Sequence, residues 1–301
     1  MKTENFLWLS DGKTMCYAEY GDPWGEPVFL FHGNPGARIS WGLYPDSPFL
    51  PGIRIIAPDR PGYGRTEYKK DALERWPNDI SELADHLGID KFHLFAPSGG
   101  GPYALACAWK VPERLKSVGV FGSVGPYTRD SVQGANAPLK LLWRLANKLF
   151  FLVKLQNRIM ARLARKDPAR LFRAIRDLEL SEYDKQIASR KEIENVFTTV
   201  FPESYLQNGI GSAYDVTLPK RWTIPLDQIK CKVVVWQAEQ DILAGNMAKY
   251  IADQLPNSEF ILIPKVGHLW IIEHVKEVLE RLIGHEEIKQ KVWVRKRQEM
   301  N

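Results

Sequence analysis

The chain has 301 residues, of which 45% are hydrophobic and 26% charged, with ten Trp. That composition supports a sizeable core and excludes wholesale disorder or a fibrous repeat, and the length suits one large α/β domain or a domain of about 200 residues carrying an insertion. The net charge of +5 hides an asymmetry: residues 140–176 hold eleven Lys or Arg and one acid, Asp167, a window of +10, so the remainder sums to 5 − 10 = −5.

At the amino terminus Phe6-Leu7-Trp8-Leu9 gives four apolar residues before polar ones resume, too few for a signal-peptide core. Apolar runs such as 149–153 are far short of a membrane span. Cys16, Cys107 and Cys231 lie far apart with no Cys-x-x-Cys, which argues against a disulfide framework or a structural zinc site. The expectation is a cytoplasmic protein that needs neither a metal nor an organic cofactor.

Short runs rich in β-branched and aromatic residues predict strands over 15–20, 28–31 and 53–57. An amphipathic stretch predicts a helix over 76–87 with Pro77 in its first turn. A strand over 92–96 leads through a glycine cluster into a helix over 100–111, and a further strand covers 117–121. From 127 to 225 no strand is predicted, and the content is helical and basic, so this segment is an insertion between two core strands. Beyond it come a strand over 232–236, a helix over 245–254, a strand over 260–263 and a helix over 270–283. The strands from Val28, Phe92, Ser117 and Lys232 are largely apolar, as expected when both faces of a sheet are covered. The fold class is therefore α/β: a mostly parallel, doubly wound sheet whose core is residues 1–126 and 226–284, with a helical insertion at 127–225. Residues 285–301, with Lys289, Lys291, Arg295, Lys296 and Arg297, form a charged tail in which Val292-Trp293-Val294 could dock.

Within the insertion, Lys140, Arg144 and Lys148 form one basic group, Lys154, Arg158, Arg162 and Lys166 a second, and Arg170, Arg173 and Arg176 a third. Steps of three and four put each group on one helical face, with the intervening apolar residues expected on the other side. Asp167-Pro168 predicts an N-cap and first-turn proline separating the second and third groups. Such a face is either a solvated surface or one that attracts an anionic membrane surface or anionic substrate. Nucleic acid is not expected, because no recognition motif accompanies the charge.

The strongest local signal is Phe92-His93-Leu94-Phe95-Ala96-Pro97-Ser98-Gly99-Gly100-Gly101-Pro102. A strand running through small-x-Ser-x-small into an Ala-rich helix suits a sharp turn that exposes the Ser98 hydroxyl, with the helix N-terminus favouring negative charge beside it. Upstream, Val28-Phe29-Leu30-Phe31 ends in His32-Gly33-Asn34-Pro35-Gly36. On these motifs the chain resembles the α/β-hydrolases from about residue 15 to residue 284.

The resemblance implies a triad in the order serine, acid, histidine, each beyond the C-terminal end of a core strand. Ser98 is then the nucleophile, and Asp241 the acid, with Glu239 as its rival. The histidine is His268, preceded by Gly267; His274 is the alternative, but falls inside an amphipathic pattern. The backbone N–H groups of Asn34 and Gly99 would form the oxyanion hole, and the insertion would be the lid. Two departures stand out: Ala96 replaces the usual first Gly of the elbow, and Pro97, lacking an N–H, should lie where the strand has left the ladder. His-Gly-Asn-Pro also resembles the haloalkane dehalogenases, but those, like epoxide hydrolases, use an elbow Asp, and Ser98 argues against both. His32 is expected to be a structural, hydrogen-bonded histidine. Asp59-Arg60-Pro61-Gly62-Tyr63-Gly64-Arg65-Thr66 resembles the recurring Asp-x-x-Gly-x-Gly-x-Ser loop and is expected to be scaffold.

The activity so implied is two-step acyl transfer, in which His268 takes the Ser98 proton and later activates water. Insertion residues including Leu141, Trp143, Phe150, Phe151 and Leu155 favour an apolar small-molecule substrate, and a carboxylesterase of small or medium esters is the first expectation. Other readings on this scaffold are a ligand receptor with little or no turnover, a lactonase, an aminopeptidase, a carbon–carbon bond hydrolase and a cofactor-free haloperoxidase. The aminopeptidase is disfavoured because the insertion offers no acid cluster for an α-ammonium group.

Overall fold

The apolar runs that predict doubly covered strands form the centre of the sheet. The computed structural model describes residues 2–46, 48–177 and 180–284 and the backbone of 293–294. In chain order its elements are β1 (Lys2–Trp8), β2 (Thr14–Gly21), β3 (Glu26–Leu30), β4 (Ile53–Pro58), α1 (Ala72–His86), β5 (Phe92–Pro97), α2 (Gly101–Lys110) and β6 (Leu115–Phe121). Six helices follow: α3 (Ala137–Leu145), α4 (Phe150–Lys166), α5 (Pro168–Arg176), α6 (Glu182–Ala188), α7 (Lys191–Ser204) and α8 (Ile210–Asp215). The core resumes with β7 (Val233–Ala238), α9 (Met247–Gln254), β8 (Ser258–Ile263) and α10 (Val275–Ile283). The sheet order is β1-β2-β4-β3-β5-β6-β7-β8, parallel from β4 to β8 and antiparallel at β1 and β2. Trp293–Val294 pairs antiparallel with the outer edge of β8; the rest of the predicted tail lies outside the described residues.

Alternation along the central strands feeds two cores. Phe29, Leu94 and Val120 point to the side covered by Trp76 and Leu83 of α1, Leu105 of α2 and Ile251 of α9. Val28, Leu30, Phe95 and Phe121 point to the other, covered by α10 and by insertion residues such as Leu171 and Phe201. Each fully buried side chain of this size stabilises by about 1.5–3 kcal/mol.

Several expectations are corrected. β1 has no counterpart among the predicted strands: it is a partly exposed edge whose Lys2, Thr3, Glu4 and Asn5 mask the pattern. Helix α1 begins a turn earlier than predicted, with Asp71 at its cap pairing Arg75 at 2.6 Å. Pro77 therefore lies inside the helix, where its missing N–H leaves one helical bond unmade. Pro97 has not left the ladder; it is the last residue of β5, still in register with Phe121. The predicted helix over 270–283 is two elements, a 3₁₀ segment His268–Glu273 and then α10, divided at His274.

No strand occurs among the described residues of the insertion, as predicted, and Asp167 caps α5 by accepting from the Arg170 N–H at 2.9 Å. The expected placement of the apolar residues fails in α4, and Leu141, Phe151 and Leu155, expected to favour an apolar substrate, face solvent instead. The buried side of α4 is Val153, Asn157, Ala161 and Ala164, whereas Phe151, Leu152, Leu155 and Ile159 are exposed. The backbones pass close together on that side: a Cβ on Gly209, just before α8, would stand 3.0 Å from the Asn157 Cβ.

Candidate active site

Ser98 follows the last residue of β5 and has φ +54°, a left-handed conformation that costs a non-glycine residue about 1–3 kcal/mol and is characteristic of functional turns. The turn runs as a short 3₁₀ segment, Ser98–Gly100, into α2, whose first turn carries Pro102. Ala96 is accommodated because Gly100 faces it: a Cβ on Gly100 would be 3.3 Å from the Ala96 Cβ and 2.8 Å from the His32 carbonyl oxygen.

The Asn34 loop adjoins this turn. A Cβ built on Gly33 would lie 3.3 Å from Ser98 Cβ and 3.8 Å from its Oγ, and one on Gly99 would lie 3.3 Å from the Asn34 backbone nitrogen. The two predicted oxyanion donors are thus neighbours beside the serine. His32 is a strut, as expected: its Nε2 accepts from the Arg60 N–H at 3.0 Å and its Nδ1 faces the Gly33 carbonyl at 2.9 Å. Burial, reinforced by the nearby Arg60 cation, holds its pKa well below the usual histidine range.

Asp241 and His268, beyond the C-terminal ends of β7 and β8, meet directly, with His268 Nδ1 2.7 Å from Asp241 Oδ2. The other Asp241 oxygen accepts from the Leu243 and Ala244 N–H groups, both at 2.9 Å, which fixes the carboxylate. With Nδ1 engaged, Nε2 is the ring nitrogen free to act as a base. Burial opposes a charge on His268, but Asp241's attraction and hydrogen bond, with Asp184's charge behind them, outweigh it and raise the pKa above the ordinary value. The turn after β6 lies between this pair and the serine, whose hydroxyl makes no hydrogen bond to His268 in this structure. Val124 N–H donates to the Ser98 carbonyl at 3.2 Å, and a Cβ on Gly122 would be 2.8 Å from Asp241 Oδ2 and 3.0 Å from His268 Nδ1. The rivals sit elsewhere. Glu239 is exposed and accepts from the Lys265 N–H at 2.8 Å, while the His274 ring stacks on Trp270 with centroids 4.1 Å apart.

Two insertion carboxylates that sequence reasoning missed reach the core here. Asp184, buried in α6, accepts from the His268 N–H at 3.1 Å and the Leu269 N–H at 2.7 Å, and so holds the histidine loop. Its only sequence signal is Ser181-x-x-Asp184, which predicts a helix cap and nothing more. Asp215, at the end of α8, accepts from Arg60 Nη1 and Tyr63 Oη, each at 2.6 Å, and from Tyr103 Oη at 2.9 Å. Arg60 lies 4.6 Å from the centroids of both tyrosine rings, and donates to the carbonyls of His32 and Gly33 at 3.0 Å each. The loop expected to be scaffold therefore supports the Asn34 loop directly. Among the described residues no His, Cys, Asp and Glu cluster is arranged to hold a metal ion, and no helix is long and apolar enough to cross a membrane.

A mostly parallel sheet with helices on both faces and the candidate site residues gathered at the C-terminal ends of its strands is the architecture of an α/β enzyme fold. The family model for the alpha/beta hydrolase fold matches residues 26–275, and the chain belongs to that family. It is 24% identical over 285 residues to Lipase 3 of a Moraxella species, covering 90% of this chain and 80% of that one. It is 27% identical over 265 residues to the 2-hydroxymuconate semialdehyde hydrolase of Pseudomonas putida, covering 84% of each. Among solved structures it is similar to a thermophilic esterase from Thermogutta terrifontis, with TM-score 0.66 and 20% identity over 94% of this chain and 97% of that one.

Proposed function

We propose that this hydrolase-family chain is a serine hydrolase that cleaves apolar carboxylic esters of small or medium size through an acyl-enzyme. The observation that carries the reading is the 2.7 Å contact between His268 and Asp241, at the same sheet edge as a serine held at φ +54°. In this account Ser98 Oγ attacks the ester carbonyl carbon as His268 Nε2 takes its proton. Asp241 keeps the imidazole in the tautomer with its proton on Nδ1 and stabilises the imidazolium that forms. The Asn34 and Gly99 N–H groups hold the oxyanion, and His268 returns the proton to the departing alkoxide. Water activated by the same nitrogen then releases the acid. The insertion acts as the lid, a role supported by its ties to both halves of the site, Asp184 on the histidine loop and Asp215 on Arg60. The unpaired Cys16, Cys107 and Cys231 support a cytoplasmic setting.

Turnover of a panel of p-nitrophenyl esters, acetate to decanoate, tests this. The expected result is hydrolysis that Ser98→Ala abolishes. Ligand binding without turnover on any ester would favour the receptor reading, and cleavage of a vinylogous 1,5-diketone in preference to every ester would move the assignment to carbon–carbon bond hydrolysis.

A further inference from the structure

Helix α4 has 17 residues and so runs about 25 Å across the insertion. Its solvent side carries Phe151, Leu152, Leu155 and Ile159, which are 64%, 45%, 51% and 56% exposed, and Leu141 of α3 is 57% exposed. Five of the eleven exposed large hydrophobic residues described in the chain thus fall on two helices consecutive in sequence, four of them on α4. A solvated face over a buried apolar one, the simpler expectation for this helix, is not what is present.

Phe151, Leu155 and Ile159 follow one another at steps of four, forming one stripe. Arg158, Arg162, Arg165 and Lys166 continue on the same exposed side toward the C-terminal end of the helix. The face is therefore apolar in its first half and cationic in its second. Among the described residues, the ion pairs made by the eleven cations of this window are Arg173 with Glu194 and Arg176 with Asp177, both from α5. The cations of α4 have no carboxylate partner there.

We propose that the exposed face of α4 docks the protein on an anionic lipid bilayer, with Phe151, Leu155 and Ile159 entering the boundary between headgroups and acyl chains and Arg158, Arg162 and Lys166 meeting lipid phosphates. An apolar stripe with basic flanks binds such a surface by burial and attraction together. A second copy of the chain is the poorer occupant, because it would bring two strongly cationic windows together. The inference stands apart from the hydrolase reading, since it concerns binding alone, and Ser98→Ala should leave it unchanged.

The test is flotation of the full chain with phosphatidylglycerol-containing vesicles and with pure phosphatidylcholine vesicles, at low salt and near 1 M salt, where the Debye length has fallen to about 3 Å. Binding is expected to the anionic vesicles at low salt, weakened at high salt. Phe151→Ser with Ile159→Ser should reduce it at least about ten-fold, and Arg158→Gln with Arg162→Gln by about five-fold for each cation removed. All four positions are exposed, so unchanged thermal unfolding is expected of both variants. Failure to bind anionic vesicles at low salt overturns the proposal, as does binding indifferent to the Phe151 and Ile159 changes. Sedimentation showing a dimer that the same apolar changes dissolve would also overturn it, assigning the face to self-association.

Discussion

Replacing Gly99 by Ala tests the oxyanion assignment through a steric argument that the structure makes quantitative. The new Cβ would stand 2.9 Å from Asn34 Cβ, 3.3 Å from the Asn34 nitrogen and 3.6 Å from Arg60 Nη2. Carbon–carbon contacts are optimal near 3.5–4.0 Å, so the Asn34 loop must retreat by about 0.6–1.1 Å or the serine turn must move. The loop cannot shift freely, because Arg60 is fixed by Asp215 and grips the His32 and Gly33 carbonyls. Gly99 does not have positive φ, so alanine brings a clash and no backbone penalty. A displacement of that size removes at least one donor from the oxyanion, an effect of about 2.7–4 kcal/mol, or 10²–10³ in kcat. Stopped-flow and steady-state hydrolysis of p-nitrophenyl butyrate should show kcat falling by that factor, with KM nearly constant and the unfolding midpoint within a few degrees of the parent. An unaltered midpoint with kcat within about three-fold of the parent would refute the placement of the oxyanion at Asn34 and Gly99.

Asp241→Asn should lower kcat by about 10⁴ through the wrong histidine tautomer, whereas Glu239→Gln should leave it nearly intact; the reverse would exchange their roles. The same comparison between His268→Ala and His274→Ala should show loss in the first only. In the proposed mechanism the neutral imidazole is the base, so with the His268 pKa raised kcat/KM should fall as pH drops through a value above 6.5, and Asp184→Asn, which removes a nearby negative charge, should move that limb to lower pH. A limb unmoved by Asp184→Asn would mean that this carboxylate only ties down the loop. Asp215→Ala leaves the buried Arg60 cation unpaired and should destabilise by about 3–5 kcal/mol in urea unfolding, and a loss below about 1 kcal/mol would contradict the buried-pair account.

Much of the fold was legible because the central strands are apolar on both faces and the glycine-rich turn after β5 has few alternative uses. Registers and ends were less so. Pro97 stays in the ladder and Pro77 inside a helix, each against the ordinary preference of proline. Motif order offers Ser98, Asp241 and His268 as candidates, yet it separates Asp241 from Glu239 only by family spacing, and the contrast between an exposed carboxylate on Lys265 and a buried one on His268 is visible only in three dimensions. Asp184 and Asp215 were not legible: each acts across a separation of 84 residues or more on a partner that no local pattern indicates. The period of α4 was legible and its orientation was not, because an amphipathic repeat does not say that Ala161 and Ala164 form the side that packs.

The central claim is that Ser98 is the acylated nucleophile. Treating the full chain with a fluorophosphonate probe and mapping the adduct by peptide mass spectrometry tests it most directly, with Ser98→Ala and His268→Ala treated alongside. The account predicts one modified residue, Ser98, no labelling of Ser98→Ala, and much slower labelling of His268→Ala. Labelling that persists in Ser98→Ala, or an adduct on any other residue of the parent, would contradict it.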